Sequence, residues 1–277
     1  MDGKLLLSTH FETVLANRDC DLTTLQPCNH SEADTRILLH LAHAVQQGHT
    51  TTYVRTVDSD VVVIDSQVFR YARPIGALGW FLNRKKYCDI PVHVRHSNLG
   101  PSKSLALPLF QSLTGCDTTS QFLDCSKKTA WAACTSLSDL TDTLVSLTED
   151  PTLFSIDFVH MQRIERFVVL IYSKGCGVAR VNEARHRLFT NGSRSLENLQ
   201  PTQAALFQHV KRGLLQASFY WDKATSIQQE IPNFLSRADI KMEPLADIKM
   251  HLYGPHSQML QWHAPFYCTP LATRHAN

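Results

Sequence analysis

Five acidic residues in three short segments have the types and spacing for metal chemistry: Glu32 and Asp34 in "SEADTR", Asp58 and Asp60 in "VDSD", and Asp117 in "LTGCDTTS". Burying an unpaired carboxylate costs several kcal/mol. The acids inside "TTYVRTVDSDVVVID" therefore need a cation, a turn at a sheet edge or a basic neighbour. In an extended segment residues i and i+2 share a face, so Asp58 and Asp60 can converge. On a helix they diverge by about 200°, so at a helix start one of Glu32 and Asp34 faces a site while the other caps or meets a second ion. Hard oxygen donors without His or Cys suit Mg²⁺ or Mn²⁺. Two such ions about 4 Å apart activate a water and stabilise the leaving oxygen in phosphodiester hydrolysis. Each acid also has a local explanation: the macrodipole for Glu32 and Asp34, a cap for Asp117, and a tight turn at 58–60.

The elements that must position these acids follow from periodicity. "KLLLSTHFETVLAN" reads as a hairpin and "NHSEADTRILLHLAHAVQQGH" as a helix, with Ser31 at its N-cap, Asp34 completing a capping-box-like pair and Gly48 closing it. "TTYVRTV" and "VVVI" read as strands on either side of the acidic pair, and "ALGWFLNRKKYCDIPVHV" as a second hairpin turning at "NRKK". From about Pro101 the character is helical: "SKSLALPLFQSLTG", "KKTAWAAC", "LSDLTDTLVSLT", "DFVHMQRIERFVVLIY", "NEARHRLF" and "PTQAALFQHVKRGLLQASFYW". A strand–helix–strand core followed by helices is an α/β signature, and open sheets bind ligands beyond the carboxyl ends of their strands. This divides the chain into a core at 1–150, a helical extension packed on it at 151–222, and a poorly ordered tail at 223–277, where a short echo (Ala238–Met242, Ala246–Met250) is too brief for a repeat.

With 277 residues and 43% hydrophobic content the chain can bury a real core. Its 27 basic and 25 acidic residues argue neither for nor against nucleic acid. From Pro151 to Asp222, nine Lys or Arg face five Asp or Glu; this excess is either a solvated helical surface or a phosphate-facing patch. Eight scattered cysteines without C-x-x-C point to a reducing compartment and no zinc ribbon. His40 and His43 offer no four-ligand zinc spacing. Neither a secretory leader nor an 18-residue apolar span is legible, which excludes a membrane partner.

Three ordered runs carry a resemblance: "NHSEADTRILLHLAHAVQQGHTTTYVRTVDSDVVVI", "LALPLFQSLTGCDTTSQF…KKTAW" and "ERFVVLIYS…VNEARHRLFT…PTQAALFQHVKRGLLQA". Together they make residues 4–222 similar to a repetitive, transposon-derived protein family of animal genomes. Its core in turn resembles the flap-endonuclease branch of PIN-like nucleases. "EAD", "VDSDVVVI" and "LTGCD" match that branch's acidic elements in order. The resemblance implies a mostly parallel PIN-like sheet with helices, followed by a helical region. It implies Glu32, Asp34, Asp58, Asp60 and Asp117 as ligands of two Mg²⁺ or Mn²⁺ ions, with Asp58 and Asp60 catalytic, and a structure-selective cut in DNA. Asp65 has no counterpart. Lys127, Lys128, Arg163, Arg166, Lys211 and Arg212 would hold the backbone of DNA, or of RNA.

Two departures are visible. The family's further carboxylates on upstream strands have no counterpart before Glu12, so this copy reads as N-terminally truncated, with activity lost or a partner chain supplying those strands. "LDCSKKTAW" also lacks the glycines of the family's DNA-gripping hairpin. The alternative is a non-catalytic nucleic-acid- or protein-binding module of a degenerate mobile element. Either role implies an intracellular protein, nuclear rather than cytoplasmic.

Overall fold

The computed structural model describes residues 4–56, 58–71, 78–81, 89–155, 158–192, 198–230 and 266–267. The chain is α/β and mostly helical. The expected first hairpin is present: β1 (Leu6–His10) and β2 (Thr13–Ala16) pair antiparallel, and β1 also pairs with the short β6 (Phe266–Tyr267). Helix α1 (Ala33–Gln46) follows, and then β3 (Thr52–Arg55).

The second half of the acidic stretch departs from expectation. "VVVI" is not a strand: it lies in helix α2 (Ser59–Tyr71). A run of β-branched residues reads as strand, but the Asp58 side chain accepts from the Asp60 backbone N–H at 2.8 Å and starts a helix there. Val61, Val63 and Ile64 are then buried between α1 and a later helix, α4. A helix enclosed on several sides has no need of a polar stripe.

β4 (Leu78–Phe81) runs parallel to β3, and β5 (Asp89–Pro91) pairs antiparallel with β4. The expected mostly parallel sheet is therefore reduced, among the described residues, to one parallel pair joined across α2. The stretch that would have added a strand is helical. The "NRKK" turn at 83–86 and the echo at 238–250 lie outside the described residues.

The helical half comprises α3 (Val92–Leu99), α4 (Pro101–Leu113), α5 (Lys127–Ser136), α6 (Ser138–Glu149), α7 (Val159–Tyr172), α8 (Val181–Thr190) and α9 (Gln203–Leu214). The last of these continues into a π-helical segment, Leu215–Trp221. α9 begins after an N-cap at Thr202, so Pro201 lies just outside it. One continuous core runs from Leu38 on α1, through Ile64, Leu109, Leu144 and Phe167, to Leu214 and Trp221. It draws on both sides of residue 150. α4 and α9 cross closely at small residues: Ser112 Oγ donates to the Gly213 carbonyl at 2.9 Å, and a Cβ on Gly213 would meet Leu113 at 3.2 Å.

Two polar clasps tie the periphery to this core. Glu165, 1% exposed, accepts from Arg180, from the first N–H of α8 at Val181 and from the Gln203 amide, all at 2.8–2.9 Å. A carboxylate at that helix start meets a donor with no partner inside its own helix. Farther along, Asn29 exchanges two hydrogen bonds with the Gln229 backbone, at 3.1 and 2.7 Å, and His30 Nε2 lies 2.6 Å from the Ser226 carbonyl. Residues 226–229 of the tail are thus fixed against the segment that leads into α1.

The other face of α1 carries the first hairpin over a small core of Val14, Leu25, Cys28 and Leu39. His40 Nε2 hydrogen bonds with Thr9 Oγ1 at 2.9 Å, and His43 Nδ1 with Thr24 Oγ1 at 2.6 Å. Burial holds the His40 imidazole down to about 4, with His43 and Arg36 adding to the effect. His40 thus docks the hairpin as a neutral ring, and His43 holds the segment that follows it.

Candidate functional site

Three element ends meet beside the core. α1 brings Glu32 and Asp34, α2 brings Asp58 and Asp60 from just beyond the carboxyl end of β3, and the turn after α4 brings Asp117. α2 packs against both α1 and α4, and the π-helical segment packs against α4. The anticipated N-cap is displaced by one residue. Glu32, not Ser31, occupies that position in extended backbone, and its side chain makes no cap hydrogen bond. The backbone takes over instead, since the Glu32 carbonyl accepts from Arg36 N and Thr35 Oγ1. Asp34 therefore has no capping box to complete.

Freed from capping, Glu32 is held from across the fold. The Gln216 side-chain amide donates to both of its oxygens, at 2.8 and 2.9 Å, and the Trp221 side chain favours its ionised form. Gln216 Oε1 in turn accepts from Thr118 Oγ1 at 2.7 Å, next to Asp117. Asp60, 5% exposed, accepts from Gln111 Nε2 at 2.6 Å. Asp58 has the local engagement already described. No described residue donates a hydrogen bond to Asp34.

The five acids feel one another. Burial pushes the Asp34 carboxyl up to about 7, and Asp58, Asp60, Glu32 and Asp117 each push further in the same direction. Asp60 is raised to about 6 by burial and by Asp58 and Asp117, against the lowering effect of Gln111 and Lys127. Glu32 is raised by burial, partly offset by Gln216 and Trp221, with Asp117 and Asp58 adding to the rise. Asp117, on the exposed rim, is raised by partial burial and by Asp58. Like charges gathered in a half-dry pocket favour either a shared proton or a bound cation.

The donor set, all hard oxygen, fits Mg²⁺ or Mn²⁺. The spacing is looser than the chemistry. Among the described residues no group of three or more His, Cys, Asp or Glu side chains is arranged to hold one ion. To hold one ion there, the carboxylates would have to move inward.

The turn that carries Asp117 depends on a glycine. Gly115 has φ +108°, and a Cβ there would lie 2.7 Å from Gln121 Cβ and 2.8 Å from its Cα. Cys116 and Thr119 close the turn through reciprocal backbone hydrogen bonds. Asp117 does not cap the next helix, whose N-cap is Ser126. Gly115→Ala is expected to cost roughly 1–3 kcal/mol through strained backbone and to displace Asp117; an unchanged urea midpoint would contradict this reading of the turn.

The basic residues are spread over three helices. On α5 the Lys127 ammonium donates to the Gly115 and Gln111 carbonyls and to Thr114 Oγ1, the open end of α4. Its stem is exposed, but the enclosure of the ammonium lowers its pKa, with Asp60 and Cys116 pulling the other way. Lys128 beside it is exposed. On α7, Arg163 donates to Thr143 Oγ1, and Arg166 to the Cys176 and Val178 carbonyls. Lys211 and Arg212 lie half-buried in the last turn of α9. Lys127, Arg163 and Arg166 thus already satisfy groups of the fold itself.

Gln111, Gln216 and Thr118 escaped the sequence reading, whereas Trp221 reads there as a core aromatic and is one. The signal for the two amides was present: each interrupts an apolar helical run, "LPLFQSL" and "GLLQASF", and an amide in such a place needs a buried partner. Compared with protein-family models, with curated proteins and with solved structures, the chain matches none of them. No helix among the described residues is long and apolar enough to cross a membrane.

Proposed function

We propose that this is a divalent-cation-binding α/β protein whose acidic pocket acts on phosphate esters. More particularly, it is a nuclease-like domain of the PIN or flap-endonuclease kind, from a mobile-element-derived lineage, ancestrally hydrolysing DNA with Mg²⁺ or Mn²⁺. A DNA substrate would place it in the nucleus.

The reading is carried by the convergence of Glu32, Asp34, Asp58, Asp60 and Asp117 from three separate segments. Four of them are pushed toward protonation, chiefly by burial and further by one another. Helix dipoles favour single acids at helix starts but do not require five in one half-buried pocket. Asp58 and Asp60 would hold the ions with Asp34 and Glu32 beside them, and Asp117 would meet the second from the rim. Bound there, the ions would supply Lewis acidity and a hydroxide at neutral pH. Gln111 would orient Asp60, while exposed Lys128 is placed to meet a phosphate.

The test is incubation of end-labelled flap, duplex and single-stranded DNA with the protein and millimolar Mg²⁺ or Mn²⁺. Cleavage of structured DNA is expected, abolished by chelation and by Asp60→Asn. The loose spacing of the acids favours a second reading, a binding module without chemistry. Salt-sensitive DNA binding with no cleavage in either metal would select it.

A further inference from the structure

We propose that Gln216 is a positioning residue that couples the Glu32 carboxylate to the Asp117 turn, so that these two acids, 85 positions apart in the sequence, engage a divalent cation as one unit. This rests on the cation-binding reading above.

The geometry admits one arrangement of the amide. An amide carries an acceptor oxygen and a donor nitrogen. The Glu32 carboxylate only accepts when ionised, so it turns Nε2 toward itself, where it meets Oε1 and Oε2 at 2.8 and 2.9 Å. That leaves the Gln216 Oε1 to accept from the Thr118 hydroxyl at 2.7 Å. Thr118, the residue after Asp117, thus anchors the far end of the amide. Gln216 is 4% exposed, so water cannot readily take over either contact. It stands second in the π-helical segment, which ends at the buried Trp221. π-helical turns are rare and recur at functional sites; here one aims an amide donor at the acid.

The relay also explains why Glu32 lies uncapped at the start of α1: its oxygens are engaged across the fold rather than by its own helix. With Gln216 on one side of the carboxylate, lone pairs remain for an ion on the other. Outer partners of this kind change metal affinity by about 10–100-fold when removed.

The experiment uses the full chain, with Thr118→Val, Gln216→Met and the double variant. Mn²⁺ affinity is read by electron paramagnetic resonance, and the Gln216 side-chain amide by ¹⁵N nuclear magnetic resonance in metal-free protein. Thr118→Val alters an exposed position, which keeps the test valid should Gln216→Met unfold. Each single variant is expected to weaken Mn²⁺ binding about tenfold. The double variant should do no worse than Gln216→Met alone, because both break one chain of contacts. Thr118→Val should also shift the Gln216 amide resonances.

Purely additive losses, or amide resonances indifferent to Thr118→Val, would overturn the relay. A merely structural role predicts equal Mn²⁺ affinity once the variants are folded, and that result overturns it too. Wild-type protein that binds no Mn²⁺ sinks the cation reading instead; the contact between Thr118 and the amide then stands or falls on the resonances alone.

Discussion

Asp34→Asn is expected to melt higher than the wild type in chelator-treated buffer at pH 8 and to lose most of the stabilisation that millimolar Mg²⁺ gives the wild type. The Asp34 carboxyl moves from 3.8 to about 7 on folding. At about 1.4 kcal/mol per tenfold, holding it ionised costs at most about 4 kcal/mol, and screening of a partly exposed group reduces this to about 2. The folded value lies above the unfolded one, so the metal-free wild type should lose stability as pH rises from about 4 to about 7.

The buried histidines act in the opposite sense. His40 falls from 6.5 to about 4, so its contribution is lost as pH drops through that range. Comparing the two proteins at each pH cancels the histidines. The gap in denaturation midpoint should be near zero at pH 4 and widest above pH 7. A pH-independent gap, or an equal Mg²⁺ response in both proteins, would remove Asp34 from the site. Two effects thus oppose each other at one residue: the carboxylate that destabilises the empty protein is the one a cation would repay through binding linkage.

Trp221→Ala should cost about 3–5 kcal/mol, the range for deleting a large aromatic from a core. Trp221 is 2% exposed and closes the π-helical segment. Phenylalanine restores part of the volume, so Trp221→Phe should fall between. Urea denaturation followed by far-UV circular dichroism measures both. A loss below about 1 kcal/mol for the alanine variant would mean that this end of the chain relaxes without the core.

The acids were legible in the sequence because their signal is local: carboxylates at the ends of apolar runs, spaced by one. Most of the later helices were legible too, through their apolar stripes and breaks. α2 was not. Val61 to Ile64 has the composition of a strand, and what makes it helical is the Asp58 cap together with enclosure by α1 and α4. That is a tertiary fact overriding a local preference. Of the contacts that hold the pocket, the link from Gln111 to Asp60 spans 51 positions and that from Gln216 to Glu32 spans 184. No short-range pattern encodes such distances, although a glutamine stranded among leucines hints that a partner exists. The basic cluster shows the converse. Charge counting saw Arg163 and Arg166 as available, whereas the fold uses both guanidiniums on its own oxygens.

The clasp of Asn29 and His30 on residues 226–229 has a kinetic meaning. Its contacts join positions about 200 apart, so it belongs to the highest contact order of the chain. Loop closure entropy grows only slowly with length, about 0.6 kcal/mol per doubling, but it must be met before any such contact contributes. Glu32, two residues beyond His30, is therefore expected to be seated late, after the helical half has condensed, an order that pulsed hydrogen exchange would check. A nascent or partly unfolded chain carries the acids yet has no pocket to gather them.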